Sequence, residues 1–161
     1  MNLSDFKPGE GTELPEEEKS VSVRTQTRRV ALQALYQWQV NHSETLDIIK
    51  QFSEEGRLVD TDVALFQEIV NEVTNHATDL DELYAPFLDR AVARIDPVEK
   101  NIMRMGVFEL QNKLEIPYRV VINESVELAK RFGAEDSHKY INGILDKAAE
   151  GLRSLEKTQT D

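Results

Sequence analysis

The 161-residue sequence contains no cysteine, and that single absence removes disulfides, thiolate-held zinc and cysteine nucleophiles together. A chain of this length can bury an independent core without such staples, so one domain is the default reading, in a reducing compartment. Long apolar runs are also missing. No stretch approaches the roughly 20 residues needed to span a bilayer, and the opening Met-Asn-Leu-Ser-Asp has no basic region followed by an apolar one. A cytoplasmic protein, neither secreted nor membrane-inserted, is expected. The signatures of catalysis are equally scarce. There is no phosphate-cradling glycine loop, no Gly-x-Ser-x-Gly and no His-Glu-x-x-His, and His42, His76 and His138 lie far apart without ligand-like spacing. Acid pairs such as Asp79 with Asp81, or Glu135 with Asp136, read as caps and solvated charges near helix ends. The reading is therefore of a binding protein, not an enzyme, without metal or cofactor.

Positive charge is in short supply, with a net charge of −11, which argues at first against a nucleic-acid ligand. Its distribution modifies that argument. Residues 1–18 carry net −5, residues 19–29 net +4 from Lys19, Arg24, Arg28 and Arg29, residues 30–115 net −9, and residues 116–161 net −1. A local RNA site is compatible with this pattern; a broad basic face is not. Residues 1–20, with Pro8, Gly9, Gly11, Pro15 and the run Glu16-Glu17-Glu18, have too few large apolar residues to offset their ordering entropy and are predicted to be a disordered acidic extension.

What the chain does have is helical periodicity. Ala31, Ala34, Leu35 and Trp38 form one stripe, and Leu46, Ile49 and Phe52 form a shorter one. From Val63 through Phe66, Val70, Val73, Ala77, Leu80 and Tyr84 to Phe87 the steps alternate between three and four, predicting a long helix that ends near Pro86. Asp96-Pro97-Val98-Glu99 places an N-cap acid, a proline at the first helical position and a glutamate three residues after the cap. A helix with a broad buried face, Ile102, Met105, Val107, Phe108 and Leu110, should follow. After Pro117, the residues Val121, Ser125, Leu128, Ala129 and Phe132 share one face up to Gly133, a C-cap glycine by position. A last helix starts near Asp136-Ser137 and buries Ile141, Ile144, Leu145, Ala148 and Leu152, and Gly143 inside it suggests close helix packing. No segment alternates as a strand would. The predicted fold is all-α, a compact bundle of six or seven helices in two antiparallel sub-bundles over residues 21–154, with a polar tail at 155–161.

Two features point to a ligand. Arg24-Thr25-Gln26-Thr27-Arg28-Arg29, directly before the first amphipathic stripe, offers guanidinium forks to phosphates; the same residues also read as a solvated helix start. Lys130-Arg131-Phe132-Gly133-Ala134-Glu135-Asp136-Ser137-His138-Lys139-Tyr140 sets bases and two aromatics around one helix end and the next helix start, where free N–H groups receive anions and ring faces stack unpaired bases. Phe132 reads equally well as a core anchor, Asp136 or Ser137 as a cap, and Tyr140 as an edge residue.

These residues carry a resemblance. Ala34-Leu35-Tyr36-Gln37-Trp38-Gln39, Pro117-Tyr118-Arg119-Val120-Val121-Ile122-Asn123-Glu124-Ser125, and above all Phe132-Gly133-Ala134-Glu135-Asp136-Ser137-His138-Lys139-Tyr140-Ile141-Asn142-Gly143-Ile144-Leu145-Asp146-Lys147 resemble the NusB family of bacterial transcription antitermination factors, from about Arg24 to Leu152. The resemblance implies an all-helical factor that pairs with NusE, a protein also found in the small ribosomal subunit. It implies binding to the boxA element of nascent RNA and assembly of an antitermination complex on RNA polymerase, notably during ribosomal RNA transcription. It assigns RNA contacts to Arg24, Arg28, Arg29, Arg104, Phe132, Asp136 and Tyr140, and the NusE-facing side to Tyr36 and Glu99. The arginine cluster is sparser here than the nearly continuous runs of some family members. The helical module is also similar to an N-terminal domain of certain ribosomal RNA cytosine methyltransferases, but a chain ending soon after Leu152 leaves no room for a catalytic domain, so methyl transfer is not expected. The competing reading is a helical adaptor that binds protein without touching RNA.

Overall fold

Ser22 decides where the first helix begins. In the computed structural model, which describes residues 21–160, its hydroxyl accepts the Thr25 amide at 3.1 Å, an N-cap bond that satisfies one of the orphan donors of the first turn. The acidic extension, residues 1–20, lies outside the described residues. Among the described residues eight α-helices follow: α1 Val23–Asn41, α2 Thr45–Glu54, α3 Val63–Asn75, α4 Ala77–Tyr84, α5 Pro97–Asn112, α6 Tyr118–Phe132, α7 Ser137–Leu152 and α8 Ser154–Thr160. Short 3-10 turns at Ala85–Phe87 and Val92–Arg94 join α4 to α5, and no strand occurs among the described residues. The all-α prediction holds, with two differences in helix number. The long helix predicted from Val63 is interrupted at His76, in a Thr74-Asn75-His76 run of weak helix formers. The stretch read as a polar tail continues as α8.

The chain divides into two compact units, one reaching Asn71 and the other starting at Glu72. In the first unit α1 buries Val30, Ala31, Leu32, Ala34 and Leu35. The buried stripe of α2 is Ile48 and Phe52; Leu46, expected on that face, is 77% exposed, so the periodicity was displaced from the true register. The Phe52 and Phe66 rings stack with centroids 6.0 Å apart, and the Arg57 guanidinium sits 3.9 Å over Phe52 while donating to Gln33. Gln37 donates to Gln51 at 2.9 Å, tying α1 to α2.

The second unit is organised around α5, on which α4, α6 and α7 all pack. Asp96 caps it as predicted, accepting the Val98 and Glu99 amides at 2.9 and 3.0 Å. Every residue from Asn101 to Leu110 is buried. Gly106 permits this: a Cβ there would stand 2.9 Å from Leu145 Cδ1 and 3.1 Å from Ser125 Oγ, so its absence lets α6 and α7 close on the helix. Gly143, the glycine expected to mark close packing, is exposed and a Cβ there would meet nothing within 4 Å. The far end of α5 is closed by Arg153. Its guanidinium, almost fully buried, donates to the carbonyls of Glu109, Leu110, Lys113 and Ile116 at 3.2, 2.6, 2.8 and 2.9 Å. Glu156 of α8 pairs with Arg153 at 2.6 Å and accepts the Tyr118 amide at 2.8 Å, so one carboxylate also serves the start of α6.

Candidate nucleic-acid interface

The arginine segment lies inside α1 rather than ahead of it, because the Ser22 cap starts the helix at Val23. Helical periodicity then separates its members. Arg24, in the first turn, is exposed, Arg29 is half-buried, and Arg28 is only 2% exposed, so its guanidinium belongs to the interior. Thr27 is fully buried: its hydroxyl donates to the Val23 carbonyl at 2.7 Å and accepts the Asp62 amide at 2.8 Å. The half of this segment that faces inward is therefore structural. Tyr36, farther along α1, is half-buried.

In the second unit, the junction between α6 and α7 brings several of the predicted residues together. Phe132 ends α6 at 1% exposure and is a core anchor, not a stacking platform, since its position continues the buried face of Val121, Ser125 and Leu128. Gly133 follows in extended conformation, and the Ser137 side chain approaches where a Cβ would sit. Asp136 occupies the N-cap position of α7 in the left-handed region, φ 68°, without a side-chain cap bond; it is exposed and lies 3.4 Å from Lys139. Ser137 points inward and donates to Glu99 Oε1 at 2.9 Å, which joins α7 to the first turn of α5. Glu99 thus reaches across to another helix. Burial pushes its carboxyl up, the neighbouring Asp96 adds to the rise, and the Ser137 hydroxyl and Arg90 oppose it.

One turn into α7, the half-exposed Tyr140 donates to Asp89 Oδ1 at 2.9 Å. Asp89 pairs with Arg90 at 2.8 Å, and the Arg90 guanidinium lies 5.0 Å from the Tyr140 ring centroid. The bonds from Arg90 and then Tyr140 hold the Asp89 carboxyl below its ordinary range. Burial, and then the bond to Asp89, raise Tyr140. Sequence reasoning missed Asp89 and Arg90: an adjacent acid and base after Pro86 looks like any solvated loop.

Arg104, expected at the RNA surface, is 7% exposed and engaged elsewhere. It grips Asp81 with two parallel bonds, Nε to Oδ1 at 2.8 Å and Nη2 to Oδ2 at 2.9 Å, and donates to Asn101 at 3.2 Å. Tyr84 adds a 2.6 Å bond to the same carboxylate, and burial followed by that bond pushes its phenol far up. This network fastens α4 to α5.

The junction of α6 and α7 thus offers an exposed acid, a half-exposed aromatic and an exposed guanidinium beside a helix start. A sequence profile of the NusB family matches residues 25–150, which include the whole of that junction. The chain belongs to the NusB family. A transcription antitermination protein NusB from Hydrogenovibrio crunogenus (strain DSM 25203 / XCL-2) is 98% identical over all 161 residues of both chains. One from Halorhodospira halophila (strain DSM 244 / SL1) is 51% identical over 136 residues, 83% of this chain and 87% of the relative. Among solved structures, T. maritima NusB superposes with a TM-score of 0.68 at 28% identity, covering 81% of this chain and 93% of its own. The structure of antitermination factors NusB and NusE in complex with dsRNA gives 0.69 at 25% identity, covering 79% and 96%. Membership of the NusB family makes the chain a transcription antitermination factor and not an enzyme. No helix among the described residues is long and apolar enough to cross a membrane.

Proposed function

We propose that this chain acts in the cytoplasm as a heterodimer with NusE, that the pair binds boxA-type single-stranded RNA, and that it joins an RNA polymerase antitermination complex supporting ribosomal RNA transcription. The observation that carries the RNA reading is Tyr140: a half-exposed ring at the start of α7, beside the exposed Asp136 and an exposed arginine. Aromatic faces and guanidinium groups together suit unpaired bases and their phosphates. Exposed Arg24 and half-exposed Arg29 supply further phosphate contacts. Arg28, Arg104 and Phe132 are buried and are left out of the proposed contacts. The solved structure of antitermination factors NusB and NusE in complex with dsRNA supports NusE and an RNA as partners.

The need for a second subunit follows from charge. A chain of net charge −11 with few exposed arginines releases few counterions on binding RNA, so it should bind weakly alone. The acidic residues 30–115, net −9, suit a basic ribosomal-type partner, with Tyr36 and Glu99 as contacts. Fluorescence anisotropy with labelled boxA-like and scrambled RNA, measured for the chain, for NusE and for both, tests this. Tight, sequence-selective binding by the pair and weak binding by the chain is the expected result. A pair that forms but binds neither RNA favours the adaptor reading, and tight selective binding by the chain alone overturns the two-protein division.

A further inference from the structure

We propose that Arg90 is an RNA phosphate contact, aimed by Asp89 and Tyr140; the proposal rests on the RNA-binding reading above. Arg90 lies in the loop between the two 3-10 turns, outside both segments that sequence reasoning marked for RNA. Its orientation is fixed from two sides. Asp89 accepts Arg90 Nε at 2.8 Å and Nη2 at 3.4 Å, and the Tyr140 ring underlies the guanidinium at 5.0 Å. Tyr140 is itself tethered, donating to Asp89 Oδ1 at 2.9 Å and accepting the Asp89 amide at 3.4 Å. Asp89 is therefore a positioning residue for both. An exposed arginine on a chain of this acidity would ordinarily wander among rotamers, and this one is held with one edge on a carboxylate and the Nη1 side turned away from it.

That arrangement matches a single strand. A strand that brings a base to the exposed part of Tyr140 carries its phosphate past a guanidinium already oriented over the ring, so little rotamer entropy is lost when the fork closes on the phosphate. Arginine's planar fork is needed for this, because it stacks on the ring and binds phosphate at once, which an ammonium does not.

The test uses the full chain with NusE and boxA-like RNA, comparing wild type, Arg90→Ala, Arg90→Lys, Tyr140→Ala and the double variant Arg90→Ala/Tyr140→Ala. Arg90→Ala should weaken binding ~5–10-fold near 0.1 M salt and flatten the log–log salt dependence by about one ion. Arg90→Lys should keep the salt slope while losing roughly 2–3-fold of affinity, since it keeps charge but not the fork. In the Tyr140→Ala background, removing Arg90 should cost less than it does in the wild type, because one of the two supports that orient the guanidinium is gone. Since the loop is exposed, melting temperatures should match wild type for both Arg90 variants. Arg90→Ala indistinguishable from wild type in affinity and salt slope overturns the inference while leaving the RNA reading standing. Weakened pairing with NusE alongside unchanged RNA affinity per heterodimer overturns it too, by assigning Arg90 to the protein partner. Additive losses in the double variant overturn the orienting role of Tyr140. Absence of RNA binding by the wild-type pair removes the inference and the RNA reading together.

Discussion

Replacing Arg153 with methionine tests whether a buried guanidinium holds the second unit closed. Methionine keeps most of the apolar stem, so the variant removes hydrogen bonds and charge rather than volume. Four carbonyls lose their donor, those of Glu109, Leu110, Lys113 and Ile116, and Glu156 loses its partner. Four bonds to a charged donor, at about 1.5–3 kcal/mol each, set an upper bound near 6–12 kcal/mol. Two effects reduce it. The variant no longer buries a charge, which itself costs several kcal/mol, and carbonyls at a helix end regain some water. A net loss of about 3–5 kcal/mol remains, the range found when one partner of a buried pair is removed. For a chain of this size each kcal/mol moves the midpoint by about 2–4 °C, so a fall of roughly 6–20 °C is expected. Urea unfolding followed by far-UV circular dichroism, together with a thermal melt, measures both. A loss below about 1 kcal/mol would show that water or backbone rearrangement replaces the guanidinium, and the closing role assigned to Arg153 would be wrong.

Two of the helical glycines should respond oppositely. Gly106→Ala pushes against Leu145 and Ser125 and should lose about 1–2 kcal/mol after the gain in helix propensity, whereas Gly143→Ala meets nothing and should gain about 0.5–1 kcal/mol; matching melting temperatures would contradict the packing. The raised carboxyl of Glu99 means its ionised form is disfavoured in the folded chain, so its stabilising contribution is complete below the ordinary carboxylate range and is lost as pH rises through the raised folded value. Glu99→Gln fixes the neutral form and should flatten stability across that window, with a gain at pH 7 under about 1 kcal/mol because the group is half-exposed; unchanged pH dependence in urea midpoints would rule this out. Phe132→Ala should cost about 3–5 kcal/mol of stability, as core truncations do. Tyr140→Ala should leave stability within about 1 kcal/mol but weaken RNA binding, and loss of stability comparable to Phe132→Ala would make Tyr140 a packing residue.

The parts of the fold legible in the sequence are those whose cause is local. Asp96 caps the amides of Val98 and Glu99 from two and three residues away, so a four-residue motif was sufficient to place the start of α5. The α6 and α7 stripes were legible because each repeats for four turns. The α2 stripe was not, since its ten residues fit more than one apolar face and only packing selects Ile48 over Leu46. Arg153 and Glu156 gave no signal because the groups they satisfy come from about 40 residues earlier in the chain. At the candidate site, Tyr140 was legible as an edge residue next to the core position Ile141. The split between exposed Arg24 and buried Arg28 depended on where Ser22 starts the helix, and Arg104 could not be separated from a surface arginine until Asp81 was placed beside it.

The enclosure of α5 has a consequence for motion. Helices ordinarily lose their terminal turns first, because the last amides and carbonyls are held by nothing but water. Here Asp96 holds the first turn and Arg153 the last, and the ten residues between are out of solvent. Neither end offers a place from which opening can start. The amides of Met103 to Leu110 should therefore exchange with deuterium only when the whole second unit opens, at a common slow rate that shifts in step with global stability. The start of α7, bonded to that helix through Ser137 and Glu99, is anchored on a part of the unit that does not move.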